Sequence, residues 1–286
     1  MITFAVSTWL WTSPFQTETT DLFPKIKAMG FDAVEIPIEY PDLIDGKEIL
    51  QVLRDHDLKP IACAAFGPSR DLTHADPKVH QNCFDYIEAC FALCQQWEVD
   101  FLAGPMYAAV GKARMLLPEA RQQEWQLAVH NLRKVCEMAE TYGQKIALEP
   151  LNRFETDLVN TTADMVQMIK DIDHPAAGIM LDGFHMNIEE KSIPQAIQQA
   201  GDLLLHVQVS ENDRGCPGTG QTDWAGLRDG LQNIDYKGAI SIESFTPEIQ
   251  ELAEAVSFWR LIEDDQDGFA REGLAFLQNL FDKKDT

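Results

Sequence analysis

Positive charge is scarce in this sequence. Lysine and arginine number 23 against 46 aspartate and glutamate, a formal net charge of −23. Contacts to nucleic-acid phosphates need a basic surface, so this balance argues against DNA or RNA as a partner, and equally against an anionic membrane. It fits a protein kept apart from its own copies by self-repulsion. No apolar run approaches the roughly 20 residues of a membrane span. The opening Met1-Ile-Thr-Phe-Ala-Val-Ser7 has neither a basic n-region nor a cleavage-site pattern. The expectation is a cytoplasmic chain without a secretory leader. There is no CxxC among the six cysteines and no dense cysteine framework, so free thiols are expected, with Cys90 and Cys94 packed in a core. No GxGxxG follows the first apolar run, which weighs against a dinucleotide-binding fold. No Gly/Ser-rich or Pro-rich linker divides the 286 residues, so residues 1–286 read as one domain.

What is present is an alternation of short β-rich runs with longer amphipathic stretches, the signature of βαβ units and a parallel sheet. Strands are expected at Thr3–Ser7, Ala33–Ile38, Pro60–Phe66, Phe101–Met106, Lys145–Glu149, Ala177–Asp182, Leu203–Val209 and Ala239–Glu243. Helices are expected near Thr20–Met29, Lys47–His56, Pro77–Glu98, Pro118–Tyr142, Thr162–Ile172, Ser192–Gly201, Trp224–Asn233 and from Glu248 to about Phe281. Gly30 and Gly143 sit where helix C-terminal glycines belong, Pro77 and Pro118 at helix starts, and Asp76 and Thr161 or Thr162 at N-caps. Eight strand–helix repeats favour a closed α/β architecture, the (β/α)₈ TIM barrel.

Four of the strand ends carry groups that bind metals: Glu149, Asp182, Gln208 and Glu243. Their spacings of 33, 26 and 35 residues are each about one strand plus one helix. The C-terminal ends of neighbouring parallel strands converge on one point, and in such a barrel that point is the active site. An acid at the end of an apolar run is costly unless paired or metal-bound. Three carboxylates and an amide oxygen make a hard donor set, suited to Mn²⁺, Mg²⁺ or Co²⁺. His206 and Gln208 lie two apart on one strand and face the same side, so either can fill the strand-seven place. His185 follows Asp182 by three residues, in what reads as the loop after strand six. Glu155 and Arg214 lie on the loops after strands five and seven, placed to contact a ligand. Trp9, Trp11, Phe15, Phe66 and Tyr107 follow strand ends on the same face, as walls for a sugar or as packing.

These residues resemble the xylose-isomerase-like barrels, most closely the ketose 3-epimerases of the D-tagatose/D-psicose (D-allulose) type. The resemblance runs through nearly the whole chain. It is strongest in Leu148-Glu-Pro-Leu-Asn-Arg-Phe-Glu155, in Met180-Leu-Asp-Gly-Phe-His-Met-Asn-Ile-Glu-Glu190 and in Glu211-Asn-Asp-Arg-Gly-Cys-Pro-Gly-Thr-Gly220, with Gly67-Pro-Ser69 in addition. It implies a divalent metal, Mn²⁺ first and Mg²⁺ or Co²⁺ as alternatives, held by Glu149, Asp182, the strand-seven residue and Glu243. It implies that Glu149 and Glu243 also form the acid/base pair, and that Glu155, His185 and Arg214 surround the reacting end of the sugar. Where the family usually has histidine on strand seven this chain has Gln208. The related hydroxypyruvate isomerases carry glutamine there, in a similar His-x-Gln run. The expected activity is epimerisation of a ketose or close keto-sugar at the carbon beside the carbonyl, without an organic cofactor. The alternatives are a sugar or hydroxypyruvate-type aldose–ketose isomerase and, from another class, a non-catalytic sugar-binding barrel. An endonuclease of the same fold is disfavoured by the net charge and the few histidines. A homodimer or homotetramer built through outer helices is compatible with the sequence, with Phe258-Trp259 either as one contact or as packing within the subunit.

Overall fold

A computed structural model of the protein describes residues 2–246, 253 and 256–282. Eight parallel strands close on themselves in sequence order: β1 Thr3–Ser7, β2 Ala33–Ile38, β3 Lys59–Ala64, β4 Phe101–Gly104, β5 Lys145–Leu148, β6 Ala177–Asp182, β7 Leu204–Val209 and β8 Ala239–Ile242. The ring is sealed by β1 against β8, with Phe4 opposite Ile240. Around it lie α1 Leu22–Met29, α2 Gly46–Asp55, α3 Pro77–Gln96, α4 Pro118–Thr141, α5 Thr162–Ile172, α6 Gly183–Glu189, α7 Ile193–Ala200, α8 Trp224–Asn233 and α9 Gln266–Asp282. This is the (β/α)₈ barrel expected from the alternation.

The local signals act as expected. Gly30 ends α1 in the left-handed conformation at φ 102°, where a side chain is strained. Asp76 caps α3 by accepting from Lys78 N, with Pro77 in the first turn. Thr161 and Asp164 cap α5 reciprocally. All six cysteines are buried free thiols.

Beyond four strands that stop one or two residues early, at Ala64, Gly104, Leu148 and Ile242, two features differ from the expectation. Asp182 accepts a hydrogen bond from Phe184 N and so caps a short helix, α6, where a loop was expected; His185 rides on that helix. The last helix starts at Gln266, after Asp265 accepts from the Asp267 backbone N–H, and residues 256–265 are irregular. The expected start of that helix, Glu248, lies outside the described residues. Phe258 is buried against Phe245 and Ala253, whereas Trp259 is exposed. The aromatic pair is therefore divided between the subunit's own packing and its surface. Among the described residues no helix is long and apolar enough to cross a membrane.

Along a strand alternate residues point into the barrel. The interior begins with Ala5, Ala33 and Ile61 and continues with Cys63, Ala103, Ala147 and Met180. The small Ala5, Ala33, Ala103 and Ala147 among them leave room for the ring to close. The larger aliphatic core lies outside it, between strands and helices. One step further along the inward columns the side chains become acidic: Glu149 after Ala147, Asp182 after Met180 and Glu243 after Ser241, while Glu35, one step after Ala33, stays within β2. The fold therefore carries the acids to one mouth.

Candidate active site

The mouth opens into a cavity of about 660 Å³, within the roughly 300–1,000 Å³ usual for small-molecule sites. Glu149 and Glu243 both line it, one residue beyond β5 and one beyond β8. Those strands are three positions apart in the ring, with β6 and β7 between, so the two glutamates stand on different sides of the opening. Asp182 ends β6 and pairs in register with Gln208 on β7. All four side chains are buried.

Arg214 reaches in from the loop after β7. Its backbone is left-handed, at φ 68°, and its carbonyl accepts from Ser244 Oγ. The guanidinium lies over the rings of Phe184, at 4.0 Å, and Phe245, at 5.1 Å. Its Nη1 donates to Asp182 Oδ2 at 2.7 Å and to Glu243 Oε2 at 2.9 Å. Burial alone would lower the arginine's pKa, but Asp182 and Glu243 outweigh it and hold the group firmly charged. One cationic atom thus sits where two carboxylates converge.

His185 stands between the other pair. Its Nε2 is 3.5 Å from Glu149 Oε1 and 3.6 Å from Asp182 Oδ2. Its Nδ1 accepts from the backbone N–H of Asn152 at 3.2 Å. Burial lowers the pKa of this histidine, so the imidazole is neutral near pH 7. With Nδ1 accepting, the proton belongs on Nε2 and points at the carboxylates. The same Asn152 donates from its side chain to Glu155 Oε1 at 2.8 Å, which fixes the half-buried Glu155 at the cavity wall.

Three acids in one buried space disturb one another. Burial, then the charges of Glu243 and Asp182, raise the Glu149 carboxyl well above the usual range. Burial, against a lowering by Arg214 and with a further rise from Asp182, lifts Glu243 to about 8. Burial and like charge sharing one cleft are the physical cause of both displacements.

The donor set suits a divalent cation. Glu149, Asp182 and His185 bring ligand atoms within 4.8 Å of one another. Glu243 converges with Asp182 on the guanidinium nitrogen, which stands in for a cation. The Nε2 proton makes His185 a hydrogen-bond donor instead of a ligand, so the fit rests on oxygens. His206 is engaged with Glu35: its Nε2 lies 2.6 Å from Glu35 Oε2, and among the described residues its buried Nδ1 has no hydrogen-bond partner.

Of the five aromatic residues read as a wall, Trp9 and Phe66 line the cavity. Phe15 and Tyr107 are wholly buried in the core, and Trp11 donates to Asp267 Oδ1 at 2.8 Å. Tyr40 and Phe245 line the cavity as well and were not expected. Neither was Glu39. It follows β2 as Glu149 follows β5, and accepts from Ser13 Oγ at 2.5 Å and from Phe15 N at 3.2 Å. An acid closing the run Ala33-Val-Glu-Ile-Pro-Ile38 was the signal for it.

Known proteins share this fold. A model of the xylose isomerase-like TIM barrel family matches residues 23–280. The chain is 32% identical to a probable ketose 3-epimerase of Synechocystis sp., over 98% of this chain and 97% of that protein. It is 34% identical to a 3-dehydro-D-guloside 4-epimerase of Escherichia coli, over 80% of this chain and 88% of the relative. The crystal structure of a D-allulose 3-epimerase from Methylomonas sp. superposes with a TM-score of 0.92 at 27% identity, covering 98% of each chain. This chain belongs to the xylose isomerase-like TIM barrel family and, like these relatives, is an enzyme of the isomerase class.

Proposed function

We propose that the protein is a divalent-metal-dependent keto-sugar epimerase that inverts the carbon next to a carbonyl by a two-glutamate proton exchange. The observation that carries this reading is the pair Glu149 and Glu243. Both are buried, both face one cavity, and they stand on different sides of it with Asp182 and Gln208 on the strands between. One glutamate removes the proton from one face of the carbon, leaving an enediolate. The other returns a proton from the opposite face. A single carboxylate returning its own proton would restore the starting epimer, so inversion needs the pair.

The side chains around them have matching tasks. His185 Nε2–H donates to a substrate oxygen. Arg214 offers its charge to the oxygen on which negative charge develops. Glu155 accepts a hydroxyl proton. Glu149, Asp182, Gln208 and Glu243 would hold the cation, which supplies Lewis-acid polarisation of the carbonyl when bound. Hard oxygen ligands suit Mn²⁺, with Mg²⁺ or Co²⁺ as alternatives. Six reduced thiols fit a cytoplasmic setting.

The relatives' names carry one chemistry. In a ketose 3-epimerase C3 adjoins the C2 carbonyl; in a 3-dehydro sugar C4 adjoins the C3 carbonyl. We take a free ketose inverted at C3 as the first reading. The 34% identity to the 4-epimerase favours a 3-keto glycoside as the second. The test incubates the protein with Mn²⁺ in D₂O against a panel of ketoses and 3-keto glycosides, followed by NMR. Deuterium at the carbon beside the carbonyl, with the new epimer, is expected. Label at C1 of a ketose with aldose formation would establish an isomerase instead. Binding of sugar without any exchange would establish a binding barrel.

Glu39 bears on the grip on the sugar. Burial first raises its pKa, against the lowering effect of its hydrogen bonds from Ser13 and Phe15. It lines the cavity from β2. A hydrogen bond to a charged group contributes about 1.5–3 kcal/mol, so Glu39→Gln is expected to raise KM about tenfold or more. The kcat should change little, because the contact lies away from the reacting carbon. Steady-state kinetics on the best substrate of the panel checks the split.

A further inference from the structure

Glu35 takes no part in the chemistry above, yet it lies fully buried inside the barrel. The inward positions around it hold Ala33, Ile61 and Cys63. A carboxylate at such a place is costly unless it is well satisfied. Among the described residues it is satisfied by two side chains of β7. His206 Nε2 lies 2.6 Å from Oε2, and Gln208 Nε2 donates to Oε1 at 2.5 Å.

The second bond has a consequence for Gln208. A primary amide has two ends of nearly equal shape and opposite character, an NH₂ that donates and an oxygen that accepts. Nothing in the side chain itself decides which end faces which way. A carboxylate accepts and does not donate, so Glu35 admits only the NH₂ end. The carbonyl oxygen is thereby left on the side away from Glu35. The reversed amide would set its oxygen against a carboxylate and its N–H groups against any cation, and both contacts are repulsive. His206 on the other oxygen keeps the Glu35 carboxylate from turning out of this arrangement. Phe101 in turn stands beside the imidazole, with ring centroids 5.8 Å apart.

We propose that Glu35 is a positioning residue, held by His206, that fixes the Gln208 amide with its oxygen offered to the cation. The inference rests on the reading that Gln208 is a metal ligand. It also gives His206 a task, as the brace of the residue that orients the ligand.

The test reads Mn²⁺ affinity, not turnover. The electron paramagnetic resonance signal of free aqueous Mn²⁺ is titrated with wild-type protein and three variants, each also melted in EDTA. Glu35→Gln keeps the shape but offers either a donor or an acceptor, so Gln208 can sit either way round. Glu35→Asp keeps the charge but draws it back from the amide. Both are expected to bind Mn²⁺ about 10–100-fold more weakly than wild type, the usual cost of losing a group that orients a ligand. Glu35→Gln/Gln208→Glu removes the need for orientation, because a carboxylate has no wrong end. It is expected to regain wild-type affinity or better. If Glu35→Asp binds like wild type, the charge of Glu35 suffices and positioning is wrong. If the double variant stays as weak as Glu35→Gln, Glu35 acts only on the barrel as a whole. A wild-type protein that fails to bind Mn²⁺ would overturn the metal reading itself, an outcome distinct from both.

Discussion

Replacing Glu243 with glutamine is expected to cut epimerisation by about 10³-fold or more, while the protein folds normally. The substituted amide has the shape of the glutamate and can still accept from Arg214 Nη1, which reaches Glu243 Oε2 at 2.9 Å. It cannot take a proton from carbon. The loss should therefore appear in kcat as well as kcat/KM, because the interaction removed exists only in the reacting state. Glu149 remains, so deuterium exchange in D₂O is expected from at most one of the two epimers. That asymmetry separates a two-base mechanism from general damage to the site, which would suppress exchange from both equally. A melting curve in EDTA supplies the control for folding. Burial lifts the Glu243 carboxyl to about 8, so an uncharged amide at that place should not lower the melting temperature much. Epimerisation within about tenfold of wild type would rule out Glu243 as a base.

The pair is legible without coordinates because strand periodicity and barrel symmetry act together. Ile146-Ala-Leu148 and Ile240-Ser-Ile242 are each followed by glutamate, and an inward column of period two puts both acids at the mouth. Asp182 and Gln208 follow from the same rule. What cannot be read is set by contacts between distant parts of the chain. Glu35 and His206 lie 171 residues apart, and no local pattern shows that they meet inside the ring. The choice between His206 and Gln208 turns on that meeting. His185 reads as a loop residue because α6 has only seven residues and needs the Asp182 cap to form. Arg214 is expected at the substrate, but its grip on two acids depends on a left-handed backbone that a non-glycine residue rarely signals. Glu39 escapes a search for metal ligands although its position obeys the rule that finds the others.

Removal of the Arg214 charge is expected to destabilise the metal-free protein more than any other single change at the mouth, and a divalent cation should reverse the loss. Arg214 is buried, and its Nη1 touches both Asp182 and Glu243, with Glu149 and Glu155 adding to the charge it feels. Arg214→Met keeps a comparable apolar stem between Phe184 and Phe245. It leaves Asp182, and Glu243 to the extent that it is ionised, without a compensating charge. Breaking a buried pair by removing one partner costs about 3–5 kcal/mol. For a chain of this size that corresponds to a fall of about 10 °C in melting temperature in EDTA. Mn²⁺ draws on the same oxygens as the guanidinium, so its stabilising effect should be larger in Arg214→Met than in wild type. A ligand that binds only the folded state adds RT ln(1 + [L]/Kd), about 2.7 kcal/mol at a hundred times Kd, enough to recover much of the loss. Activity should not return with it, because the oxygen that gathers negative charge has lost its donor; a shortfall of about 10²–10³-fold in kcat is expected with Mn²⁺ present. The two readouts therefore divide the roles of one residue. If the melting temperature in EDTA is unchanged, the carboxylates are not held by Arg214. If Mn²⁺ restores turnover together with stability, Arg214 only balances charge and does not act on the substrate.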